Sequence, residues 1–339
     1  MKGISFMKMK VLTLITASQK VQRNAGPKAP GDICTILEHA YNATCVTFIR
    51  DKYYRYKMLF EFMKCRFFSG VIVLQHPLLF QAKMYTFLPK DRTIILIHDI
   101  AGLRAQNEEQ LKKEIAIFKQ FKYIIAHNSC MRDFLVEQGL DPSSIYLLEI
   151  FDYLANGNLS SPLPVTNNSI PEIIYPGNLA QDKAPFVYQL DEEKMAFKIN
   201  LYGQGIHTDI CEKISYMGSF MPDELSQLQG DLGLIWDGNF DESDEDKLLK
   251  HYTKYNNPHK VSCCLAAGKP VIVWRKSAMA DFVRRNNIGY EINNLYDINK
   301  LDLSELSEKK INAVALGEQL RQGVYTRKIF DHILKKIGI

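Results

Sequence analysis

Residues 257–274 read NPHKVSCCLAAGKPVIVW, a pattern of turn, short apolar helix, glycine turn and buried strand. Pro258 suits the first turn of the helix, where an amide N–H would have no partner in any case. Lys260 adds a cation beside helix amides that already carry partial positive charge, so an anion is attracted there. Gly268 suits the left-handed residue that ends such a helix before a β-branched strand. The stretch predicts an αβ unit of a parallel sheet with an anion site at the start of its helix.

The same alternation of strand and helix runs through the whole chain. Short β-branched runs separated by segments of helical length occupy residues 10–16, 44–49, 70–74, 93–97, 123–126, 145–148, 172–175, 197–202, 213–216, 232–236, 271–274 and 289–292. Such alternation predicts an α/β fold with parallel sheets covered by helices on both faces. An Asn-, Ser- and Pro-rich stretch between the two halves is typical of a linker. The predicted division is a first domain at 1–155, a linker at 156–169, a second domain at 170–315, and a C-terminal helix at 316–339 that packs back on the first domain.

Composition narrows the class of protein. The 339 residues are 46% hydrophobic and 24% charged, with 42 basic and 38 acidic side chains and a net charge of +4. This mild excess favours an anionic ligand or membrane surface, and it excludes a protein that wraps nucleic acid. No apolar run reaches the roughly 18 residues of a transmembrane helix, and the apolar run after the basic N-terminus is too short for a secretion signal.

The 7 cysteines are scattered without a CxxC pair, which predicts free thiols in a reducing compartment. We therefore expect a cytoplasmic protein, with peripheral contact at the inner face of the plasma membrane left open.

Ligands of open α/β sheets bind beyond the carboxyl ends of the strands, so polar residues there are the first candidates. The first strand is followed by NAGPKAPGD, residues 24–32, a loop that leads into a helix near Asp32. Gly26 allows backbone amides to approach a ligand, and Lys28 adds charge. A flexible surface loop is the alternative interpretation.

The third and fourth strands end in His76 and in His98-Asp99. A reaction at a substrate hydroxyl needs a carboxylate or an imidazole that takes the proton, and Asp99 and His98 are the candidates for this base. The alternative is that Asp99 caps the next helix. His76, which precedes a proline, is interpreted as structural.

The second domain offers a glycine turn at the end of its first strand. Gly177 and Asn178, with Lys183 nearby, fit a diphosphate, although Pro-Gly-Asn is also a common turn. Tyr202 and Trp236 close later strands, where an aromatic ring could stack on a nucleobase. Burial of both rings in the core is the alternative.

Residues 50–68 combine six basic and two acidic residues with many aromatic side chains. Five of the apolar residues share one helical face, which we expect to pack on the sheet: Tyr56, Leu59, Phe60, Met63 and Phe67. Three residues lie outside that face and are candidates for contact with an anionic membrane or a lipid-linked substrate: Tyr53, Arg55 and Phe62.

Several motifs are absent from the sequence. It has no GxxxxGK[ST] loop, no GxGxxG after a strand, no GxSxG elbow and no HExxH helix. The acidic run at residues 241–246 is typical of a solvated loop, and no DxD-like pair for a metal-bound nucleotide is evident. A metal-independent reaction without a cofactor is therefore favoured.

Taken in order, four motifs resemble those of a known enzyme family. They are NAGPKA with Asp32, His98-Asp99, Gly177-Asn178-Leu179, and the stretch from Asn257 through the strand 271–273. The chain resembles bacterial β-1,6-galactofuranosyltransferases and the glucosyltransferase 3-like enzymes of streptococcal adhesin glycosylation. The resemblance implies a GT-B glycosyltransferase, with two Rossmann-like domains facing a central cleft.

The resemblance also implies roles for individual residues. Asn257 and Lys260 would hold the diphosphate of a UDP-sugar, Gly177 and Asn178 would line the same cleft, and the loop from Gly26 to Lys28 would face donor sugar and acceptor. Lys183 stands near an arginine of the relatives. Retaining relatives carry two glutamates around the phosphate-binding helix, whereas this chain has Tyr255 and Cys263 there, which favours an inverting enzyme.

The expected function is transfer of a hexose, galactofuranose favoured, from a UDP-sugar to a saccharide, glycolipid or glycoprotein in cell-surface polysaccharide or glycoconjugate synthesis. One alternative is a UDP-glucose-dependent glucosyltransferase of protein glycosylation. Another is a helper subunit that binds a nucleotide sugar without catalysis. A homo-oligomer is compatible with the sequence, whereas a UDP-sugar epimerase is disfavoured by the missing TyrxxxLys pair.

Overall fold

The computed structural model describes residues 8–15, 28–68, 70–78, 81–155, 170–207, 210–240 and 251–339. The chain forms two compact units, one of Met1–Ile150 with Gly323–Ile339, the other of Phe151–Gln322. The predicted linker at 156–169 and the acidic run at 241–246 lie outside the described residues. No helix within the described residues is both long enough and apolar enough to cross a membrane.

The first unit is built on a six-stranded sheet in which every strand pair is parallel. Its strands are β1 (Met9–Ile15), β2 (Thr44–Ile49), β3 (Val71–His76), β4 (Thr93–Ile97), β5 (Tyr123–Ala126) and β6 (Ile145–Leu147), in the order β2-β1-β3-β4-β5-β6. All residues of β3 and β4 are buried, as expected for central strands covered on both faces.

The helices of the first unit are α1 (Lys28–Tyr41), α2 (Tyr54–Phe67), α3 (Ala101–Arg104), α4 (Glu108–Phe118), α5 (Ser129–Glu137) and, at the C-terminus, α9 (Val324–Ile337). Asn107 and Asn128 begin α4 and α5, where each side-chain oxygen accepts a backbone N–H of the first turn. The C-terminal helix α9 packs on α1, and the Tyr41 hydroxyl donates to Asp331 at 2.8 Å.

The second unit repeats the architecture. Its strands are β7 (Glu172–Pro176), β8 (Lys198–Tyr202), β9 (Ile214–Tyr216), β10 (Leu232–Ile235), β11 (Val271–Trp274) and β12 (Gly289–Ile292), all parallel and in the order β12-β11-β10-β7-β8-β9. Its helices are α6 (His259–Ala266), α7 (Ala280–Arg285) and α8 (Leu306–Arg321). Residues 316–321, which the sequence prediction joined to the C-terminal helix, belong to α8.

Each strand order contains one point where the direction of winding reverses. It lies between β1 and β3 in the first unit and between β7 and β10 in the second. Ligands of doubly wound sheets bind at this point, outside the carboxyl ends of the strands. The candidate residues that follow β3, β4, β7 and β10 therefore occupy the expected edge of each sheet.

The predicted orientation of α2 is wrong. The side chains that pack inward are Tyr54, Met58, Phe62 and Cys65, and the stripe expected to be buried is mostly exposed. This helix has two apolar stripes, and either of them could pack on the sheet. The charged residues beside each stripe favour burial of the one that contains Met58 and Phe62. Glu61 beside the buried stripe pairs with Lys10 of β1 at 2.7 Å, whereas burial of the other stripe would draw lysine and arginine side chains inward.

All 7 cysteines are free thiols, of which Cys65, Cys263 and Cys264 are buried and Cys130 is exposed. Free thiols agree with the expectation from their spacing.

Candidate active site

His98 follows β4 and is held by Gln75 of the neighbouring strand β3. The His98 Nε2 atom lies 2.6 Å from Gln75 Oε1, while the Gln75 amide nitrogen donates to the Pro30 carbonyl at 3.1 Å and to Cys34 Sγ at 3.2 Å. A glutamine oxygen can only accept, so Nε2 carries the proton and Nδ1 of the neutral ring is the basic nitrogen. Gln75 thus fixes the tautomer of a candidate base.

Asp99 has two carboxylate oxygens in different surroundings. Oδ2 accepts from Arg104 at 3.0 Å, whereas Oδ1 is buried and has no hydrogen-bond partner among the described residues. Asp99 does not cap the next helix, because the Ala101 and Gly102 amides at the start of α3 donate to Glu114 at 2.9 and 2.7 Å. Glu114, and not Asp99, therefore caps α3.

Two further histidines at this edge are buried. His76 Nε2 lies 2.9 Å from Glu114, the same carboxylate that caps α3, which makes His76 structural as expected. His127, after β5, donates from Nε2 to the Ile97 carbonyl at 2.9 Å. Burial lowers the pKa of His127 to about 4, although the Ile97 carbonyl and the nearby Asp99 charge oppose this shift. His127 is consequently neutral at pH 7.

Lys28 does not lie in a loop. The helix predicted to open near Asp32 begins at Lys28, and the Lys28 ammonium pairs with Asp32 Oδ1 at 2.8 Å across its first turn. Both side chains are about nine-tenths buried, with 10% and 9% exposed. Gly26, the other candidate of this segment, lies outside the described residues.

Lys260 lies in the first turn of α6 and reaches the end of β10. Its Nζ atom donates to Asp237 Oδ1 at 2.7 Å and to the Trp236 carbonyl at 2.9 Å, and lies 3.4 Å from the Tyr175 hydroxyl. Tyr175 belongs to β7, and Trp236 and Asp237 follow β10, so Lys260 occupies the point where winding reverses in this sheet.

The surroundings keep Lys260 charged. Burial alone would lower the pKa of Lys260, but the Asp237 carboxylate and the Tyr175 hydroxyl raise it above the ordinary value of lysine. Lys260 is therefore a permanent cation and not a proton donor at neutral pH. Because Asp237 already pairs with it, an incoming anion would have to share Lys260 with this carboxylate.

The glycine turn after β7 lies beside the same sheet edge. Gly203 approaches the Gly177 carbonyl so closely that a Cβ at position 203 would overlap it. Asn178 is exposed, and its side-chain oxygen accepts the Ala180 amide at 2.9 Å in a local turn. Lys183 is exposed and pairs with Asp182 at 3.1 Å.

Tyr202 and Trp236 are not placed to stack on a base, contrary to the prediction. Tyr202 is 3% exposed, and its hydroxyl accepts the Gln229 amide at 2.9 Å. Trp236 is 2% exposed, and its indole N–H donates to the Asn239 carbonyl at 2.6 Å. Both rings pack in hydrophobic clusters beneath the sheet edge, and burial is the more common position of an aromatic residue at a strand end.

The start of α6 is built largely as the sequence predicts. Pro258 precedes the helix, and Gly268 adopts a φ of +71° after it. Asn257, which the resemblance assigns to the diphosphate, is buried at 5% exposure. Cys263 is buried among apolar residues that include Ile174 and Tyr202. The Cys263 side chain faces this apolar cluster.

A small pocket of about 20 Å³ lies at the carboxyl ends of β10 and β11, lined by Asp237, Thr253, Pro258 and Ser277 among others. Its volume suits a water molecule and not a nucleobase. The Ser277 hydroxyl is buried and has no hydrogen-bond partner among the described residues. Within those residues, no three His, Cys, Asp or Glu side chains are grouped closely enough to hold a metal ion.

Solved structures share this architecture. The chain aligns over 97% of its length with all of the apo lipopolysaccharide outer core galactosyltransferase WaaB (TM-score 0.61, 12% identity). It aligns equally far with all of Anabaena HepE in complex with UDP and glucose (TM-score 0.62, 13% identity). These likenesses show the fold, and the two six-stranded parallel sheets are those of a GT-B glycosyltransferase, as predicted.

Sequence comparisons identify the family. The N-terminal domain model of the glucosyltransferase 3-like family matches residues 11–150, and its C-terminal domain model matches residues 173–333. The chain is 27% identical to Escherichia coli K12 β-1,6-galactofuranosyltransferase WbbI over 284 residues, which cover 82% of this chain and 78% of the relative. It is 25% identical to Streptococcus gordonii glucosyltransferase 3 over 256 residues, 74% of this chain and 70% of that one. The chain belongs to the glucosyltransferase 3-like family, and it is a hexosyltransferase.

Sequence reasoning did not single out Gln75, His127 or Asp237. His127-Asn128 repeats after β5 the pattern of His98-Asp99 after β4, and this repetition is a signal in the sequence. Asp237 directly follows a candidate aromatic, so its carboxylate could have been considered as the partner of a nearby lysine. The contact between Gln75 and His98 depends on the strand order, which the sequence does not state.

Proposed function

We propose that the enzyme transfers a hexose, galactofuranose favoured, from a UDP-sugar to a saccharide hydroxyl in the synthesis of a cell-surface polysaccharide or glycoconjugate. The observation that carries the donor assignment is the Lys260 cation in the first turn of α6, at the point where winding reverses. The name of the relative WbbI supports galactofuranose, and the UDP bound to HepE supports the nucleotide. The acceptor is a saccharide, glycolipid or glycoprotein, and the proposed location is the cytoplasm.

On the donor side, Lys260 and the α6 amides are assigned to the diphosphate. Partial positive charge at a helix N-terminus and a fixed ammonium group both stabilise phosphate oxygens. A diphosphate carries more negative charge than the Asp237 carboxylate, so it competes for Lys260 successfully. Asn257, Gly177 and Asn178 lie at or near the same sheet edge and are proposed to shape the site, and Lys183 is proposed as an auxiliary cation.

On the acceptor side, Asp99 or His98 is assigned as the base. The base takes the proton of the acceptor hydroxyl while its oxygen forms a bond to the anomeric carbon. The bond from that carbon to the diphosphate breaks, and UDP leaves with the electron pair, stabilised by Lys260. A single displacement inverts the anomeric configuration and requires no metal ion. Asp99 is favoured over His98, because its buried Oδ1 has no hydrogen-bond donor among the described residues.

Glucose is the second candidate for the donor sugar. The similarity to Streptococcus gordonii glucosyltransferase 3 favours a UDP-glucose-dependent enzyme that acts in protein glycosylation. The residues named above would serve either sugar, since they are assigned to the diphosphate and to the acceptor hydroxyl.

Thermal shift measurements with UDP-galactofuranose, UDP-galactose, UDP-glucose and UDP-N-acetylglucosamine test the donor assignment. We expect UDP-galactofuranose to raise the unfolding temperature most. A larger rise with UDP-glucose would support the second candidate.

Catalysis is then tested with the UDP-sugar that raises the unfolding temperature most. UDP release from this donor is measured with alkyl glycosides as acceptors, in the presence of excess EDTA. Release that persists in EDTA supports a metal-independent transferase. Binding without release or transfer would contradict the enzyme proposal and favour a helper subunit.

A further inference from the structure

Helix α2 presents a row of large apolar side chains to solvent. Tyr56, Phe60, Met63 and Phe67 are 74%, 56%, 40% and 86% exposed, and Tyr53 just before the helix is 53% exposed. Their spacing places the four helical residues on one face, at about 100° per residue. A helix that packs on a soluble core normally turns such a stripe inward.

The fold does not need this outward face, because α2 has a second apolar stripe that is fully used. Tyr54, Met58, Phe62 and Cys65 are at most 8% exposed and pack towards the sheet, and the Phe62 ring lies edge-on to Tyr85 at 5.2 Å. The exposed row therefore lies on the opposite side of the helix from the core contacts.

Cations flank the exposed row on both sides. At about 100° per residue, Arg55 and Arg66 lie along one side of it and Lys57 and Lys64 along the other, and all four are exposed. Residues 50–68 carry six basic and two acidic side chains, a net charge of +4 that equals the net charge of the whole chain.

The two acidic residues of this segment offset part of the outward charge. Glu61 pairs with Lys10 of β1 at 2.7 Å and lies 3.5 Å from Lys64. Asp51, just before the helix, pairs with Lys57 at 2.6 Å, and the six basic residues against two acidic ones still leave the segment positive. The Lys64 ammonium lies 4.5 Å from the centre of the Phe60 ring, so an aromatic body and a charged group are presented together.

An open groove of about 600 Å³ adjoins the start of α2. Arg50, Lys52 and Arg55 line it together with one acidic residue, Asp51, and with Tyr56 and Gln81, among others. Three cations around one groove form a suitable environment for a phosphate headgroup.

We propose that the outward face of α2, defined by Tyr53, Tyr56, Phe60, Met63 and Phe67 with their flanking cations, docks on an anionic phospholipid membrane. Aromatic and apolar side chains enter the interface between headgroups and acyl chains, and the lysines and arginines contact lipid phosphates. A second copy of the chain is a poorer occupant for a two-fold contact, because it would bring two faces of net positive charge together. Membrane docking of this face is separate from the transfer reaction, and it would bring the enzyme close to a membrane-bound acceptor.

Vesicle sedimentation with the full chain tests the proposal. We expect the chain to sediment with vesicles of phosphatidylcholine and phosphatidylglycerol, to remain in solution with phosphatidylcholine alone, and to be released by salt. The double variant Phe60→Ser with Phe67→Ser removes the apolar contact, and Lys64→Gln with Arg66→Gln removes two charges. Each pair should weaken binding about tenfold or more.

Met217→Ser with Ile311→Ser is the matched control, since both residues are exposed apolar side chains of the second unit, at 45% and 63%. It should bind vesicles as the parent does. All variants should bind UDP as the parent does, which separates this proposal from the donor assignment. The proposal is overturned if anionic vesicles do not bind the parent, if the α2 variants bind equally well, or if light scattering shows that these variants abolish a self-association of the parent.

Discussion

The two ends of β10 carry the same kind of ion pair. At the amino end, Lys310 contacts Asp231 at 2.9 Å, and at the carboxyl end, Lys260 contacts Asp237 at 2.7 Å. The exposures are also similar, 12% and 28% for the first pair and 18% and 30% for the second. The chemistry of the pair is therefore no guide to its role.

The surroundings of the two pairs differ. Asp231 also accepts the Glu172 amide at 3.2 Å, so the amino-end pair joins α8 to the start of β7. Lys260 lies instead in the first turn of α6, where helix amides attract anions. The ion pair at the amino edge of the sheet therefore stabilises the fold, whereas the ion pair at the carboxyl edge lies where a ligand is expected to bind.

The strand β4 shows the same contrast. Asp91 lies before it, 69% exposed and 3.6 Å from Arg92. Asp99 lies after it, and one of its oxygens is buried without a hydrogen-bond partner in the part of the chain that the structure describes. Asp237 and Asp99 therefore each have a control residue, Asp231 and Asp91, at the other end of the same strand.

The largest expected effect is that of Asp99→Asn. Loss of a general base should lower kcat by about 10²–10⁴-fold, with little change in UDP affinity, because Asp99 is assigned to the acceptor. Asp91→Asn, at the opposite end of β4, should have the activity of the parent. Steady-state UDP release at saturating donor measures both. If Asp99→Asn retained full activity while His98→Ala lost it, His98 would be the base.

The next largest expected effect is on the pH dependence of stability. It concerns His127, a structural histidine at the same carboxyl edge as the candidate base His98. The folded-state pKa of His127 is about 4, below the unfolded value of about 6.5, so its contribution is present above pH 6.5 and is lost as the pH falls towards 4. This amounts to about 2 kcal/mol between pH 7 and pH 5.

The thermal unfolding temperature of the full chain at both pH values tests this expectation. The drop on acidification should be smaller in His127→Gln than in the parent. His39→Gln, at an exposed position of α1, should preserve the full drop. An equal drop in all three proteins would contradict the assignment.

The smallest expected effect is that of Asp237→Asn. Removing the carboxylate releases Lys260 from its partner, so UDP should bind up to about fivefold more tightly. Asp231→Asn at the amino end of β10 should leave UDP affinity unchanged. Weaker binding by Asp237→Asn would show that Asp237 itself contacts the donor.

Much of the fold follows from the sequence. All twelve predicted strands are present within two residues of their expected bounds, because short β-branched runs between helical segments have few alternatives in an α/β protein. Gly268 and Pro258 also occupy the positions that their backbone preferences dictate.

What the sequence could not supply depends on neighbours in space. The inward face of α2 makes contacts with other elements, such as the ion pair of Glu61 with Lys10 of β1, and Trp236 is buried by the core cluster beneath the sheet edge. Similarly, the Asp237 partner of Lys260 lies 23 residues away in sequence. Spacing within one segment identifies a cation, whereas its counter-ion comes from the tertiary fold.

The most direct test of the central claim is a calorimetric titration of UDP into Lys260→Ala and Lys310→Ala. Loss of a charged hydrogen bond of about 1.5–3 kcal/mol should raise the Kd of Lys260→Ala by about 10- to 150-fold. The Kd of Lys310→Ala should equal that of the parent. The same loss should appear when Lys260→Ala is made in an Asp237→Asn background, where no unpaired carboxylate remains to repel the ligand. Unchanged UDP affinity in Lys260→Ala would contradict the diphosphate site at the start of α6.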